Sequence, residues 1–464
     1  MFNRYRVIHF VGIGGIGMSG IAEVLKTTGY EVAGSDVKDS ATLERLRALG
    51  IVVYVGHRAE NVAGAHVVVV SSAVGRDNPE VVEAVKRAIP VIPRAEMLAE
   101  LGRLKYGVLI AGSHGKTTTT SLISTILINA GYDPTVVIGG KLQSLGTNAL
   151  SGKGEYFVAE ADESDGSFLK LNPTVAVCTN IDNEHMDYFG SMEVLKKSFT
   201  CFLNKVPFYG NSVVCIDDPN VREILPNINR KYVTYGFSQD AEYRPAGVQN
   251  VDCTRTPFKK TSFELFNGPK SMGRFEAPLT GRHNVLNCAA AVAVTASLNV
   301  DIEAVRRSLA GFGGIKRRLE YKGTARGVKV FDDYGHHPTE IRATIRGIRD
   351  CGQEGLFVVF QPHRYTRTRD LMEEFGRSFS DVKRLYLMDI YSSGEKPIEG
   401  VSAERLYEMI KAESVDVVYV GDAEEAVRRA CGDAGEGDVL VTLGAGDVFK
   451  VGEEFLKRAN GNDV

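Results

Sequence analysis

Residues Tyr106 to Thr125 read YGVLIAGSHGKTTTTSLIST. Val108 to Ala111 is a short apolar run suited to a buried strand, and Leu122, Ile123, Ile126 and Leu127 set a helical pattern after it. Between them lies Gly112-Ser113-His114-Gly115-Lys116-Thr117-Thr118. A strand, a glycine loop and a helix with Gly-Lys-Thr at the join are the setting of a phosphate-binding loop. Glycines let backbone N–H groups approach a phosphate, and the start of the helix adds partial positive charge. Lys116 can reach the outer phosphates, and the Thr117 hydroxyl can ligate Mg²⁺. The usual spacing puts another glycine at position 110; here it is Ile110, so the loop is the shorter G-x-x-G-K-T. The stretch predicts that Gly112 to Thr118 bind ATP or a similar nucleotide. A plain turn with an exposed lysine is the alternative.

Upstream, Arg6 to Val11 is strand-like and is followed by Gly12-Ile13-Gly14-Gly15-Ile16-Gly17, a helix through Ile21 and Leu25, and a second strand, Tyr30 to Ser35, ending at Asp36. Glycines at the turn with an acid about 20 residues on fit a dinucleotide fingerprint. They fit any other pyrophosphate, or tight strand–helix packing, equally well. His66 to Ser72 reads as a buried strand, and a helix opens at Asn78-Pro79-Glu80. Two prolines between Ile89 and Arg94 suggest a nearby linker.

Downstream, the strand-like Glu155 to Ala159 ends in Glu160-Ala161-Asp162-Glu163-Ser164-Asp165. Acid at a strand end, in a domain that already has a phosphate loop, suggests a metal ligand; a solvated acidic turn is the plain reading. Val175 to Asn180 is another strand, with His185 just beyond it. A lone histidine there is more often structural. Residues 205 to 275 alternate short strands and turns without evident chemistry. Gly281 to Asn284 is expected to cap the alanine-rich helix that follows, with Asn284 and Asn287 on one face. Three later strands, Lys329 to Asp333, Leu356 to Gln361 and Val439 to Leu443, each end in a polar cluster, which points to one functional edge of an α/β sheet.

At 464 residues the chain has room for about three domains. The expected fold class is α/β. Boundaries near 105 and 314 divide the chain into 1–105, 106–314 and 315–464, the last again β-α-β in rhythm. A net charge of −3 gives no reason to expect nucleic acid. The seven cysteines are scattered and never form C-x-x-C, which suits reduced thiols and a cytoplasmic setting. No leader is evident, and no apolar run approaches roughly 18 residues, so no membrane span is expected.

Taken together, GIGGIGMSGIAEVL, GSHGKTTTT, EADESDGSF, TNIDNEHMD, GRHNVLNCAAAVAVTA, DDYGHHPTE and FQPHRYTRT resemble, in order and over nearly the whole chain, the Mur ligases of peptidoglycan synthesis. The resemblance implies a Rossmann-like domain over 1–105, a central ATP-binding domain with a parallel or mixed sheet over 106–314 and a second Rossmann-like domain over 315–464, together with ATP-driven amide formation through an acyl phosphate. ATP and Mg²⁺ would be required. The form of the EADESD run suggests UDP-N-acetylmuramate and L-alanine as substrates. Carried over by motif, Lys116 would contact the β/γ-phosphates, Thr117 and Glu160 would bind one Mg²⁺, and His185 would help hold a second. Asn284, Asn287, Arg318 and Asp333 would contact the ATP nucleotide. Tyr334, His336, Arg364 and Arg367 would face the acyl acceptor and the amino acid. Gly12, Gly14, Gly15, Gly17, Asp36 and His57 would surround the uridine diphosphate. A monomer or homodimer is expected, and no carbamylated lysine is assigned. Three other readings stay open: a related ligase adding a preformed peptide, an NAD-dependent dehydrogenase, and a nucleotide-binding module without chemistry.

Overall fold

The computed structural model describes residues 6–71, 73–103, 105–139, 148–251 and 260–461. Ser72 and Cys253 lie outside them. Three sheets organise these residues. The first has five parallel strands in the spatial order Val52–Val55, Glu31–Asp36, Val7–Val11, Val67–Val70, Val91–Pro93. This is a Rossmann-like arrangement, and it places the glycine turn after the central strand at the carboxyl edge.

The second sheet has ten strands. Its parallel heart runs Asn211–Cys215, Val175–Cys178, Tyr106–Ala111, Tyr156–Glu160, Thr135–Val137, and an antiparallel strand, Ala149–Leu150, closes one edge. Tyr106–Ala111 lies between the strands that end at Glu160 and Cys178, so their loops meet at its carboxyl end. The third sheet has six strands, in the order Glu320–Ala325, Val328–Asp333, Val439–Leu443, Leu356–Phe360, Arg384–Met388, Val417–Gly421, with only the first pair antiparallel. Its strands read as continuous apolar runs because both faces are covered. Val358 and Phe360 enter one core cluster and Phe357 and Val359 the other.

Packing divides the chain into two compact units: Met1–Ala246 with Glu264–Phe275 and Leu286–Phe312, and Gly247–Phe263 with Glu276–Val285 and Gly313–Val464. The expected strands shift by a residue or two: Val7–Val11, Glu31–Asp36, Val67–Val70, Tyr156–Glu160 and Val175–Cys178. One expectation needs correction. Asn284 is not a cap, because the helix already begins at Arg282 and runs to Ser297. The Asn284 amide donates instead to the Thr280 carbonyl at 2.7 Å. Among the described residues, no helix is long and apolar enough to cross a membrane.

Candidate active site

The glycine loop Gly112–Gly115 follows the strand Tyr106–Ala111 and leads into the helix Lys116–Asn129. Gly112 has φ +131°, and a Cβ there would lie 2.0 Å from Thr179 Oγ1. Only glycine fits that turn. Gly115 takes the left-handed cap position at φ +83°. Contacts with the end of the neighbouring strand Val175–Cys178 brace the loop, among them the His114 amide donating to Asn180 Oδ1 at 2.8 Å and the Ser113 hydroxyl accepting from the Asp182 amide at 2.8 Å. Asn287 closes the far side, accepting from Thr119 Oγ1 at 3.2 Å. Thr117 and Thr118 are buried in the first helical turn.

Lys116 folds back over this loop. Its ammonium donates to Gly112 O at 2.5 Å and to Glu163 Oε1 at 2.7 Å. Burial opposes its charge, yet Glu163 and Asp162 hold it above the ordinary lysine range. Burial pushes the Glu163 carboxyl up to about 7 against the pull of Lys116. The other oxygen of Glu163, Oε2, is buried and makes no hydrogen bond among the described residues. Ligand atoms of Glu163, Glu184 and His185 lie within 4.8 Å of one another. His185 holds φ +58° at the start of the short helix Met186–Phe189, a backbone strain common at functional sites.

Glu160 stands apart from that group: its Oε1 accepts from the Gly139 amide at 2.7 Å. Glu163 and Glu184 are among the residues that the sequence does not single out. Both sat inside quoted motifs, but nothing local marked which of several acids turns inward. Asp162 extends the acidic edge in another direction. Its Oδ2 lies 3.1 Å from Arg94, whose guanidinium fills the space left by Gly17.

In the first sheet, Gly12 makes the turn at φ +82° and Gly15 caps the helix Ile16–Thr27. The Gly14 amide donates to Asp36 Oδ2 at 2.8 Å. His57, just beyond the strand Val52–Val55, has its Nδ1 2.9 Å from the Ser35 hydroxyl. The glycine turn, Asp36 and His57 thus share one sheet edge.

The second unit gathers the remaining expected residues at the edge of its own sheet. Asp333 accepts from the amides of Gly335 at 2.7 Å and Leu319 at 2.8 Å, and burial still pushes its carboxyl up to about 6. Arg318 lies 5.5 Å from the centre of the Tyr334 ring and 3.5 Å from Glu340. The rings of Tyr334 and His336 meet edge to face at 5.4 Å. The ring of His336 lies 5.9 Å from that of His363, which stacks on Tyr391 at 5.6 Å. Arg367 Nη1 sits 3.3 Å from His363 Nδ1, and Arg364 begins the next helix at φ +71°. Burial, then the charges of His336, Arg367 and Arg364, press the His363 imidazole down to about 3, so it stays neutral. His363 and Tyr391 were not anticipated; FQPHRYTRT had drawn attention only to its arginines.

Three family models match in succession: the Mur ligase family catalytic domain over residues 7–106, the Mur ligase middle domain over 110–295, and the Mur ligase glutamate ligase domain over 317–446. A curated UDP-N-acetylmuramate–L-alanine ligase of Geotalea uraniireducens is 50% identical over 463 residues, covering 100% of both chains. A ligase of the same name from Geobacter sulfurreducens is 52% identical over 461 residues, covering 99% of this chain and 98% of its own. The crystal structure of a UDP-N-acetylmuramate–alanine ligase from Thermotoga maritima superposes with a TM-score of 0.83 at 27% identity, covering 98% of this chain and 99% of its own. A murein peptide ligase from Psychrobacter arcticus shares the fold, with a TM-score of 0.72 at 21% identity over 99% of each chain.

Proposed function

We propose, from the premise that this chain belongs to the Mur ligase family, that it is an ATP-dependent ligase joining L-alanine to the carboxylate of UDP-N-acetylmuramate. The observation that carries this reading is identity of about half the residues, end to end, with curated ligases of that reaction.

Chemically, the substrate carboxylate must become electrophilic before an amine can attack it. Transfer of the γ-phosphoryl group to the carboxylate gives an acyl phosphate; the alanine amine adds to its carbonyl, and inorganic phosphate leaves. Charge concentrates at the transferring phosphoryl group, and positioned cations and amide donors lower that barrier. Lys116 supplies one such cation, and the loop amides up to Thr118 cradle the phosphates. When ATP enters, Lys116 exchanges Gly112 O for phosphate oxygens and keeps Glu163 as its partner. Asn284, Asn287, Arg318 and Asp333 receive the nucleotide. Tyr334, His336, Arg364 and Arg367 receive the amino acid and the acyl group.

The donor set suits Mg²⁺. Glu163 has a buried oxygen without a hydrogen bond among the described residues, and Glu184 and His185 stand within reach of it. These three would hold one ion, with Thr117 and Glu160 offered to another. Bound there, Mg²⁺ neutralises charge on the phosphate oxygens. The glycine turn with Asp36 and His57 takes the uridine diphosphate, since a pyrophosphate is well held at a helix start. The cysteines that the structure describes form no disulfide, which suits a reaction in the cytoplasm.

The test is phosphate release with UDP-N-acetylmuramate and, in turn, L-alanine, glycine, L-serine and a preformed tripeptide. L-Alanine should support the fastest turnover. Preference for the tripeptide would make this a peptide-recycling ligase, and no stimulation by any of them would end the ligase reading.

A further inference from the structure

Glu80 is fully buried in the first turn of the helix Pro79–Lys86, and its carboxylate is saturated. Oε1 accepts from the Asn61 amide at 2.6 Å and from the Arg58 backbone N–H at 3.2 Å. Oε2 accepts from the Ser35 hydroxyl at 2.6 Å and from His9 Nε2 at 3.0 Å. Burial raises its pKa, but the bonds from His9, Ser35 and Asn61 outweigh burial and hold the carboxyl below its ordinary range, so the group is an ionised acceptor. Such a buried charge is a poor way to stabilise a fold, because an apolar residue of the same volume usually does as well or better.

Its consequence travels through Ser35. A hydroxyl has one proton, and Ser35 gives it to Glu80. Toward His57 Nδ1, 2.9 Å away, Ser35 can then only accept. His57 must therefore carry its proton on Nδ1, which leaves Nε2 as an acceptor in the neutral ring. We propose that Glu80 is a positioning residue for the nucleotide substrate: through Ser35 it fixes His57 in the Nδ1–H tautomer, so that Nε2 receives an N–H donor of the ligand. The imide N3–H of uracil is the one N–H on that base in a nucleotide. The inference rests on the proposed uridine diphosphate site.

Glutamine at position 80 would keep the shape and change the protons. With its NH₂ toward Arg58, the amide would face a backbone N–H that cannot turn away. With its NH₂ toward Ser35, the hydroxyl becomes an acceptor and is freed to donate to His57. His9 can adjust as well, since its Nδ1 is buried with no partner among the described residues and can take the proton. Glu80→Gln should thus invert the tautomer of His57 while leaving the fold intact.

The experiment reads the His57 tautomer by proton–nitrogen correlation NMR in the full chain, at a pH where the ring is neutral. It reads binding by calorimetry with UDP, with N3-methyl-UDP and with ATP. The wild-type ring should be Nδ1–H, and N3-methyl-UDP should bind at least about tenfold more weakly than UDP. In Glu80→Gln the ring should be Nε2–H, with UDP affinity down about tenfold and ATP affinity unchanged. Ser35→Ala, a smaller change, should lose the fixed tautomer and weaken UDP binding similarly, should Glu80→Gln fail to fold. An Nε2–H ring in the wild type, equal binding of the methylated ligand, or an unchanged tautomer in both variants overturns the proposal while UDP still binds. Failure of the wild type to bind UDP overturns the nucleotide reading of the site, and the proposal with it.

Discussion

Lys116 and Glu163 stand 2.7 Å apart in a buried site, so neither can be removed without stranding the other. With Lys116 in its proposed role at the transferring phosphoryl group, Lys116→Ala is expected to lower turnover by at least about 100-fold. Glu163→Gln should do the same, and His185→Ala should match it if that side chain serves the metal. Steady-state rates on folded protein decide each; near-normal turnover of the His185 variant would remove it from the site. His363 offers a separate test, through pH. Its folded pKa is depressed from the ordinary histidine range to about 3, so the neutral ring contributes stability above the unfolded value, and that stability drains away as pH falls from about 6.5 toward 3. His363→Gln should flatten the acid limb of the unfolding free energy by up to about 1.4 kcal/mol per pH unit. Denaturant titrations across that range measure the slope, and an unchanged slope would show that His363 titrates normally.

Each of the two glycine loops meets a different steric limit. At Gly112 a methyl group would collide with Thr179 Oγ1 and sit 3.0 Å from the Thr179 backbone N, where nothing flexible can yield. Gly112→Ala should cost about 3 kcal/mol of stability and abolish ATP binding, read by urea unfolding and nucleotide titration. At Gly14 the added carbon meets the carboxylate of Asp36 at 2.9 Å. Gly14→Val should push Asp36 aside and raise the KM for UDP-N-acetylmuramate about tenfold, with the KM for ATP little changed. A rise in both would mean that the loops are not independent. These loops were legible in the sequence because strand, glycine turn and helix are contiguous, and their chemistry is largely backbone chemistry. Side chains just past a strand end were harder to read. Glu160, Asp162, Glu163 and Asp165 are all acids, and only the turn taken after Glu160 decides that Glu163 comes under Lys116. Asn284 misled for a related reason: the helix starts three residues earlier than a cap at Asn284 would put it.

At the scale of the whole chain, the three α/β sheets were predictable from the rhythm of apolar runs and turns, and so was the gathering of polar clusters at strand ends. Residues that act through distant partners were not. Glu80 reads locally as a favourable acid in a first helical turn, and its bonds to His9, Ser35, Arg58 and Asn61 exist only once four separate segments are brought together. His363 is silent in the same way, because its depressed basicity comes from burial and from His336 and the arginines around it. The central claim spans every part of the molecule: the carboxylate of one substrate is phosphorylated by another and then captured by a third. It is tested most directly with UDP-N-acetylmuramate carrying heavy oxygen in its carboxylate, incubated with ATP, Mg²⁺ and L-alanine and followed by mass spectrometry. The account predicts an L-alanine adduct formed in step with ADP, and inorganic phosphate that carries one heavy oxygen from the carboxylate. Label appearing in AMP, or phosphate released without label or adduct, would contradict it.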